Sequence, residues 1–172
     1  MPGAPFIYYG DEIGLRYVEN LVSVEGGYSR TGSRSPMQWN HGVNFGFSNA
    51  SPEKLYIPTD PEPNSPTAED QINDPDSLYH EVKKLIAIRR ANSALLSDGD
   101  IEFVSDGADG SPLAYIRSSA DEKILIVVNP ADREAVLEVP GTWNVCLYTV
   151  GGIVKAEHGK LIVAPKSANL LK

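Results

Sequence analysis

The sequence predicts an α+β chain in which an apolar strand and one helix precede an antiparallel β-sandwich. Phe6-Ile7-Tyr8-Tyr9 is a short apolar run that ends in a Gly-bounded polar turn, as a buried strand does. A stripe of apolar residues with helical spacing follows Asp74, and repeated short β patterns with close turns fill residues 100–172. These three observations give the order of the elements.

The opening strand has an unusual position. A run such as Phe6 to Tyr9 belongs in the middle of a buried sheet, yet almost nothing precedes it. We therefore expect the chain to be the back end of a larger protein. An unpaired apolar edge invites self-association. We expect residues 1–73 to be disordered, to dock irregularly on the β-domain, or to pair with a second copy.

Residues 51–81 are acidic and rich in proline, and they hold nearly all of the net charge of −8. Alone, this stretch reads as a linker, and we expect a solvated acidic loop. A sequence pI near 4.8 argues against nucleic acid or an anionic membrane as a partner, because both require a basic surface.

One helix is clear. Asp74 is the predicted N-cap, and Pro75 occupies the first helical position. The stripe on one face comprises Leu78, Val82, Leu85, Ile86 and Arg89. Acidic residues lie toward the start and basic residues toward the end, which complements the helix dipole. The pattern fades near Asn92.

The second half predicts seven or eight strands, which together suggest an antiparallel sandwich. The run Ile124 to Val128 is continuously apolar, as in a strand buried on both faces. The predicted strands span residues 100–104, 113–117, 123–129, 134–139, 143–150, 153–156, 161–164 and 167–171.

The titratable residues form no catalytic or metal pattern. Asp11 and Glu12 are neighbours on a predicted strand, so their side chains point to opposite faces, and we expect them to orient the loop. The histidines at 41, 80 and 158 have no zinc spacing, and no phosphate cradle or nucleophile elbow is present. We predict no cofactor, no metal site and no catalytic residue. Cys146, the one cysteine, is expected to be buried.

The segment Arg34-Ser35-Pro36-Met37-Gln38-Trp39-Asn40 brings a guanidinium, an amide and an indole into one short loop. Sugars are bound by this combination, because planar polar groups bond the hydroxyls and an aromatic face covers the C–H surface of the ring. The alternative is a buried loop that is pinned by Trp39, and composition alone favours that alternative.

These motifs together resemble the α-amylase family of glycoside hydrolases. Residues 2–14 are similar to the eighth strand of that family's barrel, and Arg34 to Asn40 with Asn44-Phe45-Gly46-Phe47-Ser48 resemble the long loop after it. This form of the loop is typical of the α-glucosidase and trehalose synthase branches. Lys84 to Arg90 resembles the eighth helix, and the strands that follow resemble the C-terminal β-domain.

The resemblance implies that residues 1–96 are the last strand, long loop and last helix of a (β/α)8 barrel, and that residues 97–172 are a C-terminal β-sandwich. The family's catalytic carboxylates lie at the fourth, fifth and seventh strands, so the resemblance implies that this chain lacks them and is inactive alone. The full enzyme would hydrolyse or transfer α-glucosidic bonds of short sugars. Arg34 is the one residue to which the resemblance assigns a role, which is to bind substrate near the aglycone side of the pocket.

Two alternatives stay open at this point. The parent enzyme could be a trehalose synthase-like glucosyl isomerase. The β-domain could instead be a carbohydrate-binding accessory module that uses its aromatic residues, Phe103, Tyr115, Trp143 and Tyr148. About half of these aromatics are expected in a sandwich core, so we favour a structural β-domain. The sugar and the linkage are left open, and the compartment is not assigned, although we slightly favour the cytoplasm.

Overall fold

The structure, a computed structural model, describes residues 3–157 and 160–172. Pro2 of the opening motif and His158 lie outside the described residues. The chain divides into two compact units. One is Phe6–Lys84, and the other is Leu85–Lys172 together with residues 3–5.

The unit that contains Leu85–Lys172 is a two-sheet antiparallel sandwich, as predicted. A five-stranded sheet has the order β1-β2-β3-β8-β5, and a three-stranded sheet has the order β4-β7-β6. The strands are β1 Asp100–Asp106, β2 Leu113–Ser118, β3 Lys123–Asn129, β4 Ala135–Glu138, β5 Cys146–Val150, β6 Lys155–Glu157, β7 Lys160–Val163 and β8 Ser167–Leu171. Strands β3 and β8 have the predicted bounds, and the others shift by a few residues at their ends.

Strand β3, in the middle of the larger sheet, is buried on both faces, which explains its apolar run. On one face Leu125 and Val127 pack with Leu161 and Val163 of the smaller sheet. On the other face Ile124 and Ile126 pack with a cluster around Leu95, which lies in the 3-10 helix Ser93–Leu95. The side chains of a strand alternate between faces, so both halves of β3 must be apolar.

Arg117 holds the turn that leads into the sandwich. This β2 side chain has no exposed surface, and no carboxylate contacts it among the described residues. Its guanidinium donates instead to the carbonyls of Leu96, Gly99 and Asp100, at 2.7, 2.8 and 2.9 Å. The buried carbonyl of Gly99 is thereby satisfied, and the part-buried carbonyls of Leu96 and Asp100 each gain a charged donor.

The predicted burial of Cys146 is wrong, whereas the aromatic residues of this unit divide between core and surface as expected. Cys146 is exposed, because it begins a strand at the margin of the larger sheet. Phe103 is 54% exposed, whereas Tyr115 is buried at 8%. The indole of Trp143 is partly buried against the sandwich core, and its Nε1 donates to the carbonyl of Pro140 at 2.9 Å.

The unit Phe6–Lys84 consists mainly of loops and short 3-10 helices around a small core. Ile13, Met37 and Ala68 form this core, with Leu15 packed against it. The 3-10 helices are Asp11–Ile13, Thr31–Ser33, Val43–Gly46 and Pro52–Lys54, and a further one, Ala108–Gly110, belongs to the other unit.

No strand is assigned to residues 4–8, where the sequence predicts one. A β-strand is defined by its hydrogen bonds to a neighbouring strand, and these residues pair with no strand among the described residues. Phe6 is 96% exposed and Ile7 is 53% exposed. The apolar sequence is therefore present without the pairing that would make it a strand.

The acidic stretch is more ordered than a linker. It contains a helix that the sequence reading misses, α1 (Ala68–Asn73), whose N-cap Thr67 accepts a hydrogen bond from the backbone N–H of Asp70. The carboxylate of Asp60 is buried rather than solvated. The guanidinium of Arg16 pairs with it, and this pairing lowers the pKa of Asp60.

The second helix, α2 (Leu78–Ala91), begins four residues after the predicted cap. Ser77 is the residue that caps it, since its Oγ accepts from the backbone N–H of His80 at 3.4 Å. Asp74 instead ends α1 and accepts from the N–H of Asp76 at 2.9 Å, which closes a local turn. No α2 residue is buried, and Ile86 of the predicted apolar stripe is 43% exposed.

Candidate functional site

The loop from Arg34 to Asn40 is fixed by Gln38 rather than by Trp39. The side chain of Gln38 has no exposed surface, and its Nε2 donates to the carbonyl of Pro66 at 2.6 Å. The backbone carbonyl of Gln38 accepts from the N–H of Ala68 at 2.8 Å. The Nε2 of the amide that resembled a sugar ligand in the sequence therefore holds the loop, while its Oε1 is buried without a hydrogen-bond partner among the described residues.

Trp39 is positioned through its backbone, which leaves its indole free. Its N–H donates to the carbonyl of Phe45 at 2.8 Å, and its carbonyl accepts from the N–H of Glu69 at 3.0 Å. The residue is 52% exposed. The alternative of a loop pinned by a buried Trp39 is wrong, because these backbone bonds and the neighbouring Gln38 perform that role.

The indole of Trp39 and the side chain of Arg34 lie on the wall of one cavity in the unit Phe6–Lys84. Its volume is about 460 Å³, within the range of small-molecule sites. The wall is mostly apolar and aromatic, with one cation and one carboxylate. It is formed by Tyr9, Glu12, Arg34, Pro36, Met37, Trp39, Phe47, Tyr56 and Ile57.

Asp11 and Glu12 orient the start of this wall, in line with the loop-orienting role that the sequence predicts. They lie in a 3-10 helix, not on a strand. The carboxylate of Asp11 accepts from the N–H of Tyr8 at 3.0 Å, and that of Glu12 accepts from the N–H of Gly10 at 2.9 Å. Each carboxylate folds back on the backbone, as in turns that are closed by acidic side chains.

Tyr9 connects this turn to the Arg34 loop. Its hydroxyl donates to the carbonyl of Ser35 at 2.9 Å. Burial raises the pKa of the Tyr9 phenol, and neighbouring Tyr8 raises it further. The phenol therefore stays protonated at neutral pH and keeps donating this bond. The turn and the loop are held together on one side of the cavity.

The side chains of this wall are of types that bind small molecules such as sugars. Aromatic rings and the apolar side chains can cover the C–H faces of a sugar, and the guanidinium of Arg34 can donate to its hydroxyls. Across residues 3–157 and 160–172, no three His, Cys, Asp or Glu side chains are grouped so as to hold a metal ion. His41 instead pairs with Asp70, at 2.8 Å between Nε2 and Oδ2. No helix in the same part of the chain has the length and apolar character for crossing a membrane.

Sequence reasoning misses several residues of the wall, among them Phe47 and Tyr56. Phe47 follows a turn in which Asn44 and Phe45 both have positive φ, at 51° and 54°. Such conformations are rare outside glycine, so the turn is hard to foresee. Tyr56 is 52% exposed and comes from the proline-rich stretch, where an aromatic residue is the only sequence signal.

The sequence comparisons give the family to which this fold belongs. The sequence model of the α-amylase catalytic domain matches residues 1–99, and that of the maltogenic amylase C-terminal domain matches residues 101–150. The chain belongs to the α-amylase family.

Curated relatives in this family include enzymes with different products. The trehalose synthase of Pimelobacter sp. is 37% identical over 137 residues, which are 75% of this chain and 22% of that protein. The glucan 1,6-α-glucosidase of Streptococcus pneumoniae is 32% identical over 168 residues, 82% of this chain and 30% of that protein. The chain thus spans between a fifth and a third of the length of these two relatives.

Solved structures show the same fold. Trehalulose synthase MutB from Pseudomonas mesoacidophila superposes with a TM-score of 0.69 at 26% identity, over 83% of this chain and 26% of that one. Isomaltulose synthase from Erwinia rhapontici in complex with D-glucose gives 0.68 at 28% identity, over 83% and 25%. An inactive MutB mutant in complex with isomaltulose covers 99% of this chain and 36% of its own, with a TM-score of 0.78 at 24% identity.

Proposed function

We propose that this chain is the C-terminal part of an enzyme that hydrolyses or transfers α-glucosidic bonds of short sugars. The observation that carries the proposal is the cavity in the unit Phe6–Lys84, where Arg34 and the indole of Trp39 share one wall. The names of the relatives support it, since they include a trehalose synthase and a glucan 1,6-α-glucosidase.

In this proposal the cavity contributes binding and not bond cleavage. Retaining glycosidases need two carboxyl groups about 5–5.5 Å apart on either side of the scissile bond. The carboxylates beside the cavity, Asp11 and Glu12, are bonded to the backbone of their own turn. Arg34 would contact the part of the sugar on the aglycone side, and it is the substrate-binding residue that we propose.

The inactivity of the chain alone is directly testable. The pure 172-residue protein, incubated with maltose, isomaltose, sucrose or trehalose, should release no glucose above the buffer control. The longer enzyme that contains this segment should turn over at least one of them. Robust turnover by the 172-residue chain would contradict the proposed division of labour.

A glucosyl isomerase is the second candidate for the parent enzyme. The trehalose synthase of Pimelobacter sp. shares 37% identity with this chain, against 32% for the glucan 1,6-α-glucosidase. The two candidates differ in their products. A hydrolase gives free glucose in proportion to the sugar consumed, whereas an isomerase converts one disaccharide into another with little glucose, which chromatography of the product mixture separates.

For residues 97–172 we propose a structural role, with residues 1–96 as the part that belongs to the barrel. The aromatic side chains support this role, because Tyr115 is buried and Trp143 packs on the sandwich core. A β-domain with a structural role gives no binding isotherm with soluble starch. A starch isotherm abolished by Trp143→Ala would favour the accessory-module alternative.

We also propose that the exposed apolar run Phe6 to Tyr9 makes the isolated chain self-associate. All four residues are at least 42% exposed, and contiguous exposed apolar surface drives association. Sedimentation velocity should show a concentration-dependent increase in mass for the parent chain. Replacing Phe6 and Ile7 by serine should reduce this increase, and an unchanged profile would count against the proposal.

A further inference from the structure

Three consecutive residues in the loop after Trp39 have a left-handed backbone. The φ values of Asn44, Phe45 and Gly46 are 51°, 54° and 72°. Glycine enters this region freely and asparagine does so more readily than most residues, but a bulky residue such as Phe45 rarely does. Such a turn persists only where surrounding contacts hold it, and strained turns of this kind cluster at functional sites.

The side-chain amide of Asn44 supplies contacts that hold the turn. Its Nδ2 donates to the carbonyl of Ser48 at 2.9 Å and to that of Ala50 at 2.7 Å. Both N–H donors of the amide are therefore used within the loop. The backbone carbonyl of Asn44 accepts from the N–H of Phe47 at 3.0 Å. Asparagine suits this position on two grounds, because it tolerates the left-handed backbone and carries two donors on a short side chain.

The turn is joined to the Trp39 loop through the backbone of Phe45, whose carbonyl accepts from the N–H groups of Trp39 and Asn40 at 2.8 and 3.2 Å. A Cβ on Gly46 would lie 2.8 Å from both Oδ1 and Nδ2 of Asn40, so the turn closes tightly over that side chain. Phe47 follows the turn directly, and it shares the wall of the 460 Å³ cavity with Trp39. The turn therefore sets the path of the backbone between two aromatic residues of that wall.

We propose that Asn44 is a positioning residue of this cavity, which sets the place of the Phe47 ring through the left-handed turn. The cavity wall contains Phe47 but not Asn44, so Asn44 acts on a ligand through the ring that it positions. Without the two amide donors the turn can relax to a commoner backbone conformation, and the ring moves with it. The effect on sugar binding rests on the proposed function, whereas the hold on the ring does not depend on any ligand.

The first measurement needs no sugar. The sequence contains 4 phenylalanines, so fluorine NMR of the full chain labelled with para-fluorophenylalanine resolves few signals, and Phe47→Leu identifies the signal of Phe47. Asn44→Asp replaces the donors by a carboxylate that faces two carbonyl oxygens, and Asn44→Gly removes the donors but accepts the left-handed backbone. Both variants should shift or broaden the Phe47 signal. Asn49→Asp is the matched control, an exposed asparagine of the same loop outside the cavity, and it should leave the signal unchanged.

Isothermal titration with maltose then measures whether the place of the ring matters to binding. Asn44→Gly should weaken maltose binding about fivefold. The loss should disappear in a Phe47→Leu background, because the ring through which Asn44 acts is gone. It should persist in a Tyr56→Leu background, since Tyr56 reaches the same wall from another segment. General damage to the unit would weaken binding in both backgrounds alike.

The outcomes separate this inference from the proposed function. A Phe47 signal that is unchanged in both Asn44 variants overturns the positioning role, whatever the cavity binds. A changed signal in a chain that does not bind maltose supports the hold on the ring and counts against the proposed function. A changed signal with parent-like maltose binding, or an equal loss in the two backgrounds, overturns the action of Asn44 through Phe47.

Discussion

Arg16 and Asp60 form a two-point ion pair between residues 44 positions apart in the chain. Nε of Arg16 lies 2.8 Å from Oδ2 of Asp60, and Nη2 lies 2.6 Å from Oδ1. The N–H of Glu62 also donates to Oδ1 at 2.9 Å. The pair joins the two ends of a long loop segment that contains Arg34 and Trp39, so it supports the cavity without touching it.

Asp60→Asn should loosen this segment. The substitution keeps the shape of the side chain but removes the negative charge that pairs with Arg16 and strengthens the hydrogen bond from the N–H of Glu62. Amide hydrogen exchange across residues 16–60 should accelerate. Glu53→Asn, an exposed acidic residue of the same unit, is the control and should leave exchange unchanged. Equal protection in the two variants would contradict the role of the pair.

Arg117→Lys should destabilise the sandwich almost as much as Arg117→Ala. An ammonium cannot reproduce the planar fork with which the guanidinium reaches the carbonyls of Leu96, Gly99 and Asp100. We expect a loss of about 3 kcal/mol in denaturant unfolding, since the buried carbonyl of Gly99 and two part-buried carbonyls lose a charged donor. Lys123→Ala, at an exposed position on the neighbouring strand, should change stability little. A lysine variant as stable as the parent would show that charge alone suffices.

Alanine substitutions at two glycines with positive φ compare the cost of backbone strain alone with the cost of strain plus a steric clash. Gly151 and Gly141 have φ values of 78° and 86°. A Cβ on Gly151 would overlap the carbonyl oxygen of Lys166, whereas on Gly141 the nearest atom is 3.8 Å away. Gly141→Ala should cost about 1 kcal/mol, the price of the left-handed backbone. Gly151→Ala should cost clearly more, as measured by thermal unfolding, and equal costs would refute the close approach.

Glu122 should make the stability of the sandwich depend on pH. Burial by itself raises the pKa of this carboxyl, but hydrogen bonds from Lys172, the N–H of Ala94 and Ser93 outweigh it and lower the pKa. A lowered folded-state pKa contributes stability above the unfolded value of about 4.3, and the contribution is lost as pH falls through the folded value.

Glu122→Gln should therefore be less stable than the parent at pH 7, by about 2 kcal/mol. Its disadvantage should shrink as the pH falls below about 4.3. Denaturant unfolding of both proteins between pH 3 and 7 measures this. Asp121→Asn, next to it and exposed, provides the control. A constant difference between Glu122→Gln and the parent over that range would contradict the linkage.

The sandwich could be predicted from sequence because its signals are local and agree with each other. The apolar run of β3 and the turns around it give the strand at its observed bounds, Lys123–Asn129. Helix α1 could not be predicted, because six residues give too short a pattern and the helix depends on contacts with Gln38 and Trp39.

The site was predictable in part. Arg34 and Trp39 stand out because a guanidinium and an indole in one loop match the chemistry of sugar binding. Gln38, chosen on the same ground, is buried, since side-chain orientation depends on the tertiary partner Pro66. Phe47 and Tyr56 reach the cavity through loop geometry that residue types do not encode.

The most direct measurement for the central claim is isothermal titration of the 172-residue chain with maltose and isomaltose, in the parent and in Arg34→Ala and Trp39→Ala. The account predicts weak binding in the parent, at least a fivefold loss in each variant, about 1 kcal/mol, and parent-like binding in Arg30→Ala, an exposed arginine outside the cavity. Binding that is absent from the parent, or unchanged in both variants, would contradict the assignment of this cavity to α-glucosides.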